Sequence, residues 1–267
     1  MNKIHPLTIT RKKQEGKKIT MLTAHDYLMA RLLDETGIDI ILVGDSLGNL
    51  VSGYKTTLPV TLQEILYHSR AVSHGVERAL VISDMPFLSY HISMEEAKRN
   101  AGILIKEGGA QGVKIEANTS LIPIMKSIID IGIPVMGHLG FTPQFLYQLG
   151  GYRIQGKTRE SSEMLMKLAK DMETIGCFSI VLELVPAQLS EQISKSISIP
   201  TIGIGAGPHC DGQVLVTHDL LGMTENFKPK FLKQYAKLNN TIKKAVRSFK
   251  KEVEDMVYPG KEHSFSL

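Results

Sequence analysis

Eight short β-branched or apolar runs, most separated by stretches in which apolar residues recur three or four apart, constrain this chain more than any other feature. The runs cover residues 19–24, 38–43, 79–84, 112–116, 134–139, 178–184, 200–205 and 214–218. The helical periodicity falls on 62–73, 94–107, 121–131, 162–175 and 187–196, with a short candidate helix at 7–15 to cover a barrel floor. Strand–helix alternation with no linker or composition break predicts parallel strands closed into a (β/α)8 TIM barrel, in preference to an open doubly wound sheet. A chain of 267 residues is an ordinary length for one such barrel, so the expected organisation is a single domain over 1–267. Two helix starts carry local signals: Thr61 with Glu64 and Ser93 with Glu96 both read as capping boxes.

Composition removes several function classes. With 43% hydrophobic and 22% charged residues the chain can bury a core and is not a disordered segment. No apolar run approaches the roughly 18 residues that span a bilayer, and the start has no apolar stretch of a secretory signal, so a cytoplasmic protein without a membrane partner is expected. Cys177 and Cys210 are isolated and predict neither a disulfide nor a zinc site. Much of the net charge of +4 lies between Lys228 and Lys251, where basic residues alternate with Phe231, Leu238, Ile242, Val246 and Phe249. That pattern predicts a long amphipathic C-terminal helix with a solvated basic face, not a nucleic-acid surface, because no base-stacking aromatic cluster or binding motif accompanies it.

The chemistry is written in where the acids fall. Asp26, Asp45, Asp84, Glu116, Glu183 and Asp219 all stand at or just past the C-terminal ends of predicted strands, the catalytic face of a barrel. A lone acid there is usually a helix cap, the preferred reading for Asp26 and Asp219. Asp45 in VGDSLGN and Asp84 in SDMPF are delivered to the same crowded mouth as Glu116 and Glu183. In GVKIE, strand alternation turns Lys114 and Glu116 inward and Val113 and Ile115 outward. So many anions repel unless a cation joins them, and all-oxygen ligation with few carboxylates points to Mg2+. An open Mg2+ suits a 2-oxo acid, whose keto oxygen and carboxylate chelate it while the adjacent carbon becomes acidic. Glu183, in the apolar run SIVLELVP, is then the candidate base, its pKa raised by desolvation. Lys114 either holds a carboxylate or pairs internally with Glu116.

Other motifs are less specific. His138 in MGHLGFTPQ is equally a site contact or a hydrogen-bonded core histidine, and TIGIGAGP is either an anion-binding turn or tight packing. The segment GGYRIQGK reads as a loop large enough to cover a site.

In order along residues 19–265, TAHDY, VGDSLGN, TLPVTL, SDMPF, VKIE, GHLGFTPQ, GGYRIQGK, IGIGAGP, DGQVLV and YPGKEHSF resemble the ketopantoate hydroxymethyltransferase family. The resemblance implies a (β/α)8 barrel that transfers a hydroxymethyl group from 5,10-methylenetetrahydrofolate to 3-methyl-2-oxobutanoate through an enolate stabilised by Mg2+. The product is 2-dehydropantoate, for pantothenate and coenzyme A synthesis. It further implies that Asp45, Asp84 and Glu116 form the metal site, that Asp45, Ser46, Asp84 and Lys114 contact the oxo acid, and that Glu183 accepts the proton. A homo-oligomer, typically a decamer, is implied as well. The chain departs from the family pattern at His25, Tyr54 and Asn118, none of which removes an acid or the lysine.

Two other readings follow from the same residues. A Mg2+-dependent carbon–carbon lyase of the isocitrate lyase type needs a reactive cysteine beside the site, which neither Cys177 nor Cys210 provides by position. A non-catalytic barrel that binds nucleic acid through the basic helix would show salt-dependent retention without turnover.

Overall fold

The computed structural model describes residues 3–225 and 228–266. Its strands are β1 (Ile19–Thr23), β2 (Ile40–Val43), β3 (Leu80–Asp84), β4 (Gly112–Glu116), β5 (Val135–Gly140), β6 (Ser179–Glu183), β7 (Thr201–Ile204) and β8 (Gly212–Leu215). Each pairs in parallel with the next and β8 closes on β1, with Met21 opposite both Ile40 and Val214. The helices in order are α1 (Pro6–Gln14), α2 (Tyr27–Glu35), α3 (Leu47–Leu50), α4 (Leu62–Gly75), α5 (Met94–Lys106), α6 (Ile122–Asp130), α7 (Arg159–Ile175), α8 (Ala187–Ser196), α9 (Thr217–Leu220) and α10 (Leu238–Glu254). No helix among the described residues is long and apolar enough to cross a membrane.

Strand parity builds two cores at once. Ile19, Met21, Ile40, Leu42, Leu80, Ile82, Met136, Val181, Ile202 and Val214 fill the barrel interior, with Ile4 and Ile9 packed among them from the N-terminal segment. The alternate residues, Val113, Ile115, Val135, Ile180 and Leu182 among them, pack outward against α5 to α8, as expected for GVKIE. Inside the barrel the same parity turns polar at the strand C-termini, where Thr23, Asp84, Lys114, Glu116 and His138 are buried.

The floor is tied rather than merely covered. Lys12 of α1 reaches Asp39 at 2.6 Å and its neighbour Lys13 reaches Asp211 at 2.9 Å. Each acid also accepts from the backbone and hydroxyl of a strand threonine, Thr20 for Asp39 and Thr201 for Asp211.

The alternation lapses at one place. Between β7 and β8 the seven residues GAGPHCD form only a turn, because Gly205 and Gly207 hold positive φ and Pro208 follows, leaving no room for a helix. Strand eight therefore begins at Gly212, two residues before the predicted run, and Thr217 and His218 pass into α9. Thr61 and Glu64 make both bonds of a capping box, whereas Ser93 makes only the forward bond from Glu96. By its internal contacts the chain groups into two compact units, the first ending at Val216 and the second beginning at Thr217. All eight strands belong to the first; α9 and α10 belong to the second.

Candidate active site

Asp84 ends β3, Lys114 and Glu116 occupy the inward positions of β4, His138 sits on β5 and Glu183 ends β6, while Asp45 follows β2 through Gly44. The register places Asp84 beside Lys114 and Glu116 beside His138. Lys114 Nζ lies 2.6 Å from Asp84 Oδ1, so its ion pair is with Asp84 and not with Glu116, and 3.3 Å from His138 Nδ1. The backbone N–H of Asp45 donates to Asp84 Oδ2 at 2.9 Å, which brings the two expected metal ligands together. Both edges of the His138 ring face acids: Nδ1 is 3.6 Å from Glu116 Oε1 and Nε2 is 3.3 Å from Glu183 Oε2.

Electrostatics follow from burial. Asp45, Asp84 and Glu116 are nearly sealed, whereas the Glu183 side chain keeps 20% of its surface and is the acid open to a bound molecule. Burial pushes the Glu183 carboxyl up to about 7, with the Lys114 charge pulling the other way. Burial and the charge of Asp45 push Glu116 well above the usual carboxylate range. Against its own burial, the anions Asp84, Glu116 and Asp45 hold the Lys114 ammonium above its ordinary value, so it stays charged. Burial, aided by Lys114, holds His138 well below the imidazole range, so His138 is neutral. A neutral ring facing an ammonium at Nδ1 carries its proton on Nε2, which lies 3.3 Å from Glu183 Oε2 but makes no hydrogen bond among the described residues.

The donor set fits a hard divalent cation in part. Glu116 Oε1 has no hydrogen-bond partner among the described residues, Asp84 Oδ1 meets only the Lys114 ammonium there, and every candidate ligand is oxygen. The three expected ligands are not gathered into a ready cage, and no group of three His, Cys, Asp or Glu side chains among the described residues is. Glu116 Oε2 instead accepts the backbone N–H of Gln144 at 2.9 Å. A hard divalent cation can take one or two carboxylates and retain waters, and Asp45 and Asp84 are joined through the Asp45 N–H. Ser46 Oγ is buried with no hydrogen-bond partner among the described residues, and a Cβ at Gly44 would meet it at 3.2 Å and Asp84 Oδ2 at 3.4 Å. Gly44 thus keeps open the space between two expected substrate contacts.

The family model for ketopantoate hydroxymethyltransferase matches residues 3–261. The chain belongs to this family. Ketopantoate hydroxymethyltransferase relatives at about half identity span almost all of it. A 3-methyl-2-oxobutanoate hydroxymethyltransferase of Thermoanaerobacter pseudethanolicus is 51% identical over 99% of this chain and 97% of its own. One of Clostridium botulinum is 54% identical over 96% and 93%, and one of Geobacter metallireducens 50% identical over 97% of both. Among solved structures, phosphonopyruvate hydrolase superposes with a TM-score of 0.65 at 12% identity, covering 100% of this chain and 92% of that one. A 2,3-dimethylmalate lyase of the PEP mutase/isocitrate lyase superfamily superposes at 0.61 and 15%, covering 98% and 92%. At such identities the likeness is one of fold.

Two further residues of this cluster are not singled out in the sequence. Gln144, in the GFTPQ that follows β5, is buried and donates from Nε2 to Asp45 Oδ2 and to the Met85 carbonyl, both at 3.0 Å. Tyr90 is fully buried and places its hydroxyl 2.8 Å from Gln144 Oε1 and 3.2 Å from the Glu116 carbonyl. A glutamine one residue past Pro143 was a visible signal; Tyr90, six residues beyond Asp84 in a turn, offered none. Asp26 is the N-cap of α2, accepting from Met29 N–H, as expected. Asp219 is not a cap: it lies within α9 and accepts the Thr224 hydroxyl. Gly203 and Gly207 of TIGIGAGP serve packing, since a Cβ on Gly203 would meet Cys210 Sγ at 3.0 Å and one on Gly207 would strike that of Ala187. In the 150–157 loop, Gln155 N–H bonds to the Leu184 carbonyl and Tyr152 packs on Phe141, 4.8 Å between ring centres.

Proposed function

We propose that this chain transfers a hydroxymethyl group from 5,10-methylenetetrahydrofolate to 3-methyl-2-oxobutanoate, giving 2-dehydropantoate for pantothenate synthesis. The observation that carries the reading is the arrangement of Glu183, open and raised to about 7, across one barrel mouth from the buried Asp84–Lys114 pair. Asp45 and Asp84 hold Mg2+, with Glu116 completing the metal surroundings. When bound, Mg2+ supplies the charge that polarises the keto group and acidifies C3. Ser46 Oγ donates to the oxo acid, and Lys114 stands behind Asp84 as the cation that offsets its negative charge. Glu183 takes the C3 proton, with the neutral His138 ring beside its carboxylate. C3 then forms its bond to the one-carbon unit as the bonds of that carbon to the two folate nitrogens break; water supplies the hydroxyl oxygen, and tetrahydrofolate leaves with the C3 proton and one proton of the water on those nitrogens. The protein works as a cytoplasmic homo-oligomer.

Proton exchange at C3 tests the base apart from folate. With 3-methyl-2-oxobutanoate and Mg2+ in heavy water, proton NMR reads deuterium incorporation without the second substrate. Glu183→Gln keeps the shape but accepts no proton, so exchange slows by roughly 10²–10⁴ while Mg2+ binding survives. Asp84→Ala loses both. Parental exchange in Glu183→Gln overturns the assignment.

The lyase alternative lacks its cysteine beside the site: Cys177 precedes β6 and Cys210 precedes β8, at the strand ends away from Glu183, and both are buried. Burial pushes the Cys177 thiol up to about 12 and the Cys210 thiol up as well, so neither is a reactive thiolate at neutral pH.

A further inference from the structure

We infer that Gln144, clamped by Tyr90, is the positioning residue that sets Asp45 and Glu116 for the cation; the inference rests on the reading that Asp45 and Asp84 hold Mg2+. Gln144 spends its polar groups on three strand ends. Its Nε2 donates to Asp45 beyond β2 and to the Met85 carbonyl beyond β3, and its backbone N–H donates to Glu116 at the end of β4. A carboxylate and a carbonyl only accept, so both protons of the amide nitrogen are committed and the amide has one possible orientation. The remaining acceptor, Oε1, faces the Tyr90 hydroxyl at 2.8 Å. Were the amide turned over, its oxygen would face the Asp45 carboxylate and the Met85 carbonyl, and its nitrogen the Tyr90 hydroxyl.

Burial makes this orientation costly to lose. Gln144 is 4% exposed and Tyr90 0%, so water is not at hand to replace a missing partner. The Tyr90 ring is itself held, against His91 at 4.0 Å between ring centres, with its hydroxyl within 3.2 Å of the Glu116 carbonyl. Neither residue is an acid or a base at work in the reaction. Their effect is on where the Asp45 and Glu116 carboxylates point before a cation arrives, which is the role by which outer partners of metal ligands tune affinity.

Titration of the protein with MgCl2 alone, followed by calorimetry, reads this without turnover. Gln144→Leu weakens Mg2+ binding by roughly 10- to 100-fold. Tyr90→Phe, which keeps the ring and is the milder change, weakens it by roughly two- to tenfold. Because Tyr90 acts through Gln144, adding Tyr90→Phe to Gln144→Leu causes no further loss, whereas two unconnected structural defects would add. Parental affinity in Tyr90→Phe, or additive losses in the double variant, overturns the inference while Asp45→Asn still abolishes binding. Retained Mg2+ binding in Asp45→Asn overturns the cation reading and this inference with it.

Discussion

Glu183 and His138 show how single side chains acquire roles from their neighbours. On β6 the strand delivers Glu183 into a mouth where burial raises its pKa to about 7, while the imidazole beside it is held neutral. The sign of the pH dependence follows. Below about 7 Glu183 carries a proton and cannot accept another, so C3 exchange climbs about tenfold per pH unit toward that value and levels off above it. Since His138 titrates well below its ordinary range, it adds no second limb near neutrality. Exchange measured between about pH 5 and 9 checks this, and a flat profile would contradict it. Gly140 serves the same base from the next strand. With φ at +97° it passes so close to β6 that a Cβ would collide with the Glu183 carbonyl, so only glycine lets β5 and β6 end side by side here.

At the scale of elements, α1 is a fastening. Its adjacent lysines reach two acids on different strands' flanks, and Lys13 also donates to the carbonyls of Ser194 and Ile199. Lys13→Met leaves Asp211 with its threonine partners but no cation, and should destabilise the fold by about 1–3 kcal/mol in urea unfolding. The C3 exchange rate of the folded protein should stay parental, because the floor lies at the opposite ends of the strands from Glu183. A parental unfolding midpoint would mean that the clamp holds nothing. The second unit has a different character. α10 buries no residue, and Ile242, Val246, Phe249 and Val253 form an exposed stripe at helical spacing. Such a face is what a subunit contact uses, in keeping with the proposed oligomer. Sedimentation equilibrium should give a mass several times 29.5 kDa, and a monomer would refute it.

For the whole molecule the decisive quantity is charge balance in the mouth. Four acids share the site with the single ammonium of Lys114, and three of them, Asp84, Glu116 and Glu183, have their pKa values raised by burial. A divalent cation relieves that imbalance, so excess EDTA should abolish C3 exchange and transfer, and added Mg2+ should restore both. Full exchange in the chelator would remove the metal from the reading. Much of this design was legible beforehand. Period-two alternation in GVKIE and the apolar approach to Asp45, Asp84 and Glu183 fixed the barrel, its catalytic end and the inward acids, because parity along a strand is local. What local pattern could not decide was partnership. Lys114 had Glu116 two residues away on its own strand face, yet the register with β3 brought Asp84 to 2.6 Å. Gln144 and Tyr90 meet across 54 positions of sequence, and only the closure of the barrel puts an amide between Asp45 and Glu116. The helix missing between β7 and β8 was spelled in the glycines and proline of GAGPHCD. Sequence alone therefore determined which residues face the mouth, since that depends on alternation within each strand; tertiary structure decided which of them touch, since that depends on register between strands that the chain joins only through long crossovers.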